Sequence, residues 1–314
     1  MSIKVVGESE FIVTPKGKSL MIQKVTIVGG THGNELLGVY LVKKWQEFPE
    51  LLCRKSLECT TLISNPAAVA INQRYIDRDL NRCFATNDLA DGNLTSYEDW
   101  RAKEIATQLG PKNQPLSDVI IDLHTTTSNM GISLLPSSKH PFNLRLAAYL
   151  HSLYPDIRVC FGLQHGQDAP MLRSLSPLGY TIEVGPTAQG ILKADLFQQT
   201  EQLVYEVLNY IEAMNQGHHL PVPSMMTIYQ AIANVDYPRD STGELRGMVH
   251  PQLQSKDYEP LHPGQPMLLS FTGEEIFYTG KTVAYPVFIN EAAYYEKQIA
   301  LILTEKQQVE VENV

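Results

Sequence analysis

Apolar residues fall into short runs and helical stripes that alternate from residue 21 to about residue 215. The run Val25-Thr26-Ile27-Val28 stops at Gly29-Gly30 and predicts a buried strand. Leu36, Val39, Tyr40 and residues 42–45 then suit a helix, and residues 59–63 a second strand ending at Ser64-Asn65-Pro66. Residues 97–109 predict a helix closed by Gly110-Pro111, and Val119-Ile120-Ile121 a strand core flanked by Asp118 and Asp122. Helical stripes recur at 141–154 and 193–214, with strands expected between them at 157–161 and 180–184. Such alternation predicts an α/β domain whose sheet is covered by helices on both faces.

Beyond Met214 the pattern changes. Residues 215–219 and Pro221-Val222-Pro223 predict a linker, followed by short β-rich pieces at 224–232, 245–249, 266–271 and 282–289. The expected division is therefore 21–215 as an α/β domain and 216–314 as a smaller β-rich one. The first twenty residues show no clear periodicity, so Met21, where the patterning begins, is a candidate translation start beside Met1. No internal repeat or low-complexity tract interrupts the chain.

Composition narrows the classes. A chain of 314 residues with 43% hydrophobic and 19% charged residues is that of an ordinary globular protein with ample core. Its formal net charge of -9 argues against general nucleic-acid affinity. A small anionic substrate stays open, because a local group of arginines outweighs diffuse charge screened beyond about 8–10 Å. The four cysteines, Cys53, Cys59, Cys83 and Cys160, show no C-x-x-C spacing, which excludes a zinc ribbon or thioredoxin-type motif. No run approaches the roughly 18–20 apolar residues of a membrane span, and the N-terminus lacks a continuous apolar signal core. A cytoplasmic location is expected.

Candidate chemistry starts at His32-Gly33-Asn34-Glu35, between the first strand and the first helix. Imidazole and carboxylate both ligate zinc, at about 2.0–2.2 Å, and Gly29, Gly30 and Gly33 free the backbone to turn both side chains inward. H-x-x-E alone equally describes a helix-start glutamate beside a hydrogen-bonded histidine. His124, just past an apolar strand, sits where open α/β sheets place ligands. Asp122, two residues earlier, projects to the same side and can orient that imidazole. Two histidines and one carboxylate would leave a position for water, the mark of a catalytic zinc site. Glu183, a carboxylate in the otherwise apolar run 180–184, is the candidate general base. The run Arg74-Tyr75-Ile76-Asp77-Arg78-Asp79-Leu80-Asn81-Arg82 holds three arginines, whose forks suit carboxylates. On spacing alone it reads as a solvated face in which Asp77 and Asp79 neutralise their neighbours.

The segments GGTHGNE (29–35), RYIDRDLNR (74–82), DLHTTTSNMG (122–131), IEVGP (182–186) and NEAAYYEK (290–297) resemble those of the aspartoacylase family. The likeness runs in order from about Met21 to about Lys297, and VDYPRD (235–240) and LHPG (261–264) match as well. It implies a zinc carboxypeptidase-like mixed sheet flanked by helices, with a β-rich C-terminal domain covering the active site. It further implies one zinc ion per subunit held by His32, Glu35 and His124, with Glu183 activating water and protonating the leaving amine. Arg74, Asn81, Arg82, Arg173 and Tyr294 would grip the substrate, and Arg74 or the zinc would polarise the carbonyl. The expected reaction is hydrolysis of an N-acyl amino acid, N-acetyl-L-aspartate first. The alternatives are an N-acyl-aromatic-amino-acid deacylase and a carboxypeptidase-type zinc peptidase. A homodimer is also implied. The chain departs from the pattern of the family's animal members at Ala169, where they carry tyrosine, and at Gln298, where they carry a second lysine. Both positions belong to the part that recognises the amino-acid side chain.

Overall fold

The computed structural model describes residues 20–312 apart from 165 and 167. Residues 1–19, Met1 among them, lie outside the described part.

Among the described residues, nine strands form one mixed sheet. In chain order the early strands are β1 (Lys24–Gly29), β2 (Glu58–Ile63), β3 (Val119–Thr125), β4 (Ile132–Pro136), β5 (Arg158–Phe161) and β6 (Leu178–Val184). The later ones are β7 (Met225–Val235), β8 (Gly247–Val249), β9 (Pro266–Ser270), β10 (Glu275–Phe277), β11 (Tyr285–Val287) and β12 (Leu301–Glu310). The large sheet has the order β11-β12-β7-β5-β4-β6-β3-β1-β2, and β10-β9-β8 form a separate three-stranded sheet. The neighbours β2, β1, β3 and β6 run parallel, and β4 turns against β6.

Six helices, α1 (Leu36–Glu47), α2 (Pro66–Ala70), α3 (Thr86–Ala90), α4 (Tyr97–Leu109), α5 (Pro141–Leu153) and α6 (Ala194–Asn215), connect these strands. Leu37, Leu41 and Trp45 follow one another at four-residue spacing on α1 and join Leu146 and Leu150 of α5 and Leu203 and Val207 of α6 in one core. That core receives Val25, Ile27, Val119, Ile121 and Leu123 from the sheet. On the opposite face Val28 and Ile120 meet Ala102, Ile105 and Leu109 of α4. Every residue of β3 is buried, as expected for a parallel strand covered on both sides. The α/β architecture and its two helical layers are those the sequence predicts.

Several details differ. The strand expected at 119–121 continues to Thr125, so His124 lies within the strand rather than past it. The parallel partner β6 supplies register for the extra residues, Asp122 to Thr125, which the apolar run alone does not mark. β4, β10 and β12 were not evident from the pattern; β12 is rich in Gln, Glu and Lys and takes its place by pairing with β7 over ten residues. Through β7, which lies parallel to β5, the chain beyond residue 215 extends the same large sheet. The β-rich C-terminal part is thus both a continuation of the main sheet, through β7, β12 and β11, and the small β8-β9-β10 sheet.

Candidate active site

β1 delivers the first two site residues. Gly30 adopts φ +69°, a left-handed conformation that favours glycine, and turns the chain off the strand end. Gly33 packs so tightly on α2 that an added Cβ would stand 2.1 Å from the Ala68 carbonyl carbon. This close approach holds the loop between β1 and α1 down. Both side chains it presents, His32 and Glu35, are buried.

His32 Nδ1 lies 2.6 Å from Glu35 Oε1, and His124 Nδ1 lies 3.0 Å from Glu35 Oε2 and 3.1 Å from His32 Nδ1. The opposite edge of each ring meets a carboxylate. His32 Nε2 is 3.0 Å from Asp79, and His124 Nε2 is 2.8 Å from Asp122, which is anchored in turn by Thr31 at 2.8 Å. With a metal bound, each ring would turn its Nδ1 lone pair to the centre and keep its Nε2 edge toward a carboxylate. Glu35 lies between the two rings, so a bound cation would take the place of the protons that these donors otherwise share. Among the described residues, His32, Glu35 and His124 form a group able to hold a metal ion, their donor atoms all within 4.8 Å of one another. Burial alone would raise the Glu35 carboxyl, but the two imidazoles outweigh it and hold the group well below the usual carboxylate range. Burial likewise opposes charge on His124, and Asp122 and Glu35 overcome it, lifting its pKa well above the ordinary imidazole value.

Glu183 reaches the same centre through strand register. It pairs with His124 across β3 and β6, so both side chains leave the same face of the sheet. Burial pushes its carboxyl up to about 8; Glu35 and Glu291 add to the shift, and His124 and Arg74 oppose it.

The arginine run is not the solvated face that spacing suggests. Glu98, fully buried in the first turn of α4, accepts hydrogen bonds from Ile76, Asp77 and Arg78 backbone amides at 2.7, 3.0 and 3.2 Å, and from Asn65 Nδ2 at 3.1 Å. Asp77 turns outward only to accept from the Tyr97 amide, while Asp79 is buried against His32, Arg74 and Lys297. Arg74 spends one nitrogen on Glu35 at 3.1 Å and another on Asp79 at 3.2 Å, leaving Nε unpaired. Asn81 accepts from the Leu172 amide at 2.9 Å and so ties this loop to the turn that carries Arg173. Arg173 is buried with Thr181 as hydrogen-bond partner at 3.0 Å, and burial pulls its pKa down to about 10. Neither Arg173 nor Arg82 forms an ion pair with a carboxylate among the described residues.

All nine sequence-predicted site residues line one cavity of about 340 Å³: His32, Glu35 and His124 together with Arg74, Asn81, Arg82, Arg173, Glu183 and Tyr294. Tyr294 arrives from the C-terminal part, its ring against Phe288 at 5.3 Å. Sequence reasoning gave no site role to Asp79, read as a neutralising surface charge, nor to Glu291 or Lys297, which also belong to this neighbourhood. Glu291 accepts from the Thr127 amide at 2.8 Å and from the Thr126 hydroxyl, gripping the loop after β3. Lys297 pairs with Asp79, while burial pulls its pKa down to about 8. All three stand inside the quoted motifs, and that placement was the available signal.

A mixed sheet thus brings metal-type donors, a buried carboxylate and several arginines into one cavity, an arrangement suited to a hydrolase. Residues 21–211 match the succinylglutamate desuccinylase/aspartoacylase catalytic domain, and 224–306 match the AstE/AspA barrel-sandwich hybrid domain. The chain is 51% identical over 286 residues to a probable aspartoacylase of Nostoc sp., covering 91% of this chain and 97% of that protein. It is 44% identical to the mouse (Mus musculus) N-acyl-aromatic-L-amino acid amidohydrolase (carboxylate-forming), covering 92% of each. The crystal structure of murine aminoacylase 3 superposes with a TM-score of 0.89 at 43% identity, covering 94% of this chain and 98% of that one. The chain belongs to the succinylglutamate desuccinylase/aspartoacylase family and is a hydrolase. No described helix is long and apolar enough to cross a membrane.

Proposed function

We propose that the protein hydrolyses N-acyl-L-amino acids, with N-acetyl-L-aspartate as its substrate of choice, giving acetate and L-aspartate. The observation that carries this reading is the meeting, in one cavity, of three metal-type donors, the buried Glu183 carboxylate and the uncompensated Arg82 and Arg173.

The two Nδ1 atoms, 3.1 Å apart, approach the roughly 3.3 Å expected of donors each about 2.0–2.1 Å from a tetrahedral zinc. Zinc held by His32, Glu35 and His124, one ion per subunit, supplies the Lewis acidity that makes water nucleophilic near neutral pH. Glu183 takes the proton of the attacking water and returns it to the amide nitrogen as the C–N bond breaks. Arg82, Arg173, Asn81 and Tyr294 hold the substrate carboxylates, Arg82 and Arg173 through their forked donors. Arg74, with its unpaired Nε, turns toward the amide carbonyl and stabilises the developing negative charge. In this reading residues 21–215 do the chemistry and 216–314 close over the substrate, consistent with Tyr294, Glu291 and Lys297 lining the cavity. A cavity of about 340 Å³ favours a small substrate over the longer peptides of a carboxypeptidase.

A second reading is favoured by the apolar wall of Leu135, Leu163, Met171, Phe288, Ile299 and Ile302, which suits an aromatic side chain. Comparison of kcat/KM for N-acetyl-L-aspartate and for N-acetylated aromatic amino acids decides between them. A higher value for the aromatic panel overturns the aspartate reading, and no turnover of either class with zinc present overturns both. The homodimer follows from family resemblance, and light scattering at working concentration tests it. The four free cysteines support a reducing, cytoplasmic setting.

A further inference from the structure

We infer that Asp257 is a positioning residue for the reaction: it holds the wall of the cavity through two backbone amides without touching substrate. This rests on the hydrolase reading above and adds a residue that reading does not use.

Asp257 lies in the turn between β8 and β9. Its Oδ2 accepts from the Asn129 amide at 3.1 Å and its Oδ1 from the Ile289 amide at 3.0 Å. Asn129 belongs to the loop that follows His124 and β3. Ile289 sits between Phe288, which lines the cavity, and Glu291, which grips that same loop. One carboxylate thus joins the two segments on which the His124 side and the Tyr294 side of the cavity depend. The turn makes further contacts at this seam: Asn129 Nδ2 donates to the Ser255 carbonyl at 2.9 Å, and the Tyr258 hydroxyl meets Ser133 Oγ at 2.8 Å. Ser133 pairs with Glu183 across β4 and β6.

Two features mark Asp257 as more than packing. It is buried yet forms no ion pair among the described residues, and a carboxylate taken out of water without a cation costs stability. Burial, backed by Glu291, pushes its pKa up to about 6. The segment it holds is also strained: Phe288 has φ +51° and Asn290 φ +57°, left-handed values on both sides of Ile289. A phenylalanine keeps such a conformation only where its surroundings impose it, and here it stands in the cavity wall. A group that costs stability while fixing strained backbone beside the site is expected to act on substrate binding.

The test compares zinc-loaded wild type, Asp257→Asn and Asp257→Ser, by steady-state kinetics on the best N-acyl amino acid, zinc content and hydrogen exchange. Asp257→Asn keeps one acceptor and turns an N–H toward one of the two amides, leaving that donor unsatisfied. KM should rise about tenfold with kcat changed by less than about threefold and zinc content unchanged. Asp257→Ser, whose short hydroxyl cannot span both amides and brings no misplaced N–H donor, should raise KM in the same direction, and it decides the matter if Asp257→Asn does not fold. Unchanged KM in the folded variants overturns the inference, as does a fall in kcat that merely follows lost zinc or lost protein. If wild type turns over no N-acyl amino acid, the functional reading fails by itself. Exchange at residues 286–294 then speaks alone: faster exchange confined there in Asp257→Asn supports the clamp, and wild-type protection overturns it.

Discussion

Glu183 faces burial together with the like charges of Glu35 and Glu291, while His124 and Arg74 favour its ionisation. In the metal-stripped protein its carboxyl therefore stays protonated to about 8, well above an unfolded glutamate near 4.3. Between those values the folded state binds more protons than the unfolded one, so this group's contribution to stability is full at low pH and is lost as pH rises toward 8. Metal-stripped Glu183→Gln should show a flatter fall of Tm with pH across that window than wild type; parallel slopes would contradict the assignment. With zinc bound the same substitution should cut kcat by about 10²–10⁴ while metal content holds. Near-full turnover in a folded, zinc-loaded Glu183→Gln protein would remove the residue from the mechanism. Both effects come from one carboxylate placed where its charge is expensive, and a lone glutamate in an apolar run is what made it visible in the sequence.

At the scale of elements, α4 supports the substrate loop. Its Ser96–Asp99 capping box starts the helix, and the next-door Glu98 is thereby aimed at the amides of Ile76, Asp77 and Arg78. Glu98→Ala would leave these buried donors and Asn65 unpaired, and should cost about 3 kcal/mol or more in denaturant unfolding. Substrate affinity should fall as well, because Asn81 and Arg82 lie at the end of that loop; stability within about 0.5 kcal/mol of wild type would refute the support role. The loop of His32 and Glu35 makes a parallel case. Gly33→Ala drives a Cβ into the backbone of α2, so zinc affinity should drop measurably in a competition assay with a chelating dye. The reading of residues 74–82 as a surface run failed for want of this information. Glu98 lies more than fifteen residues from the amides it binds, and no local pattern announces such a contact.

Across the whole molecule, the large sheet carries the chain from the metal-type donors to the residues that cover them. β5 pairs with β7, β7 with β12, and the segment before β12 returns Glu291, Tyr294 and Lys297 to the cavity. Ending the chain at residue 215 would uncover the β5 edge, take Met226 and Ile228 out of the first core, and remove those three side chains. The truncated protein is expected to aggregate and to lack activity, as an unpaired apolar sheet edge recruits other chains. A monomeric, active fragment in size-exclusion chromatography would show the two parts to be independent. Removing metal should also act globally: chelation takes away an ion that would bind the folded state alone and tie His32, Glu35 and His124 together, so Tm should fall and recover when zinc is restored.

By itself the sequence determined the alternation of strands and helices, the two-sided burial of the sheet and the residue types able to do the chemistry. These are local properties: apolar period, glycine at turns, and charged groups standing in apolar runs. The tertiary structure alone decided what long-range register and burial decide. It set Glu183 opposite His124, made Asp79 a partner of His32 rather than a solvated neighbour, and brought β12 to β7. It also stationed Asp257 between two loops far apart in the chain. A hydrogen bond or ion pair across a hundred residues depends on strand pairing and on what is excluded from water, and neither is encoded in the spacing of nearby side chains.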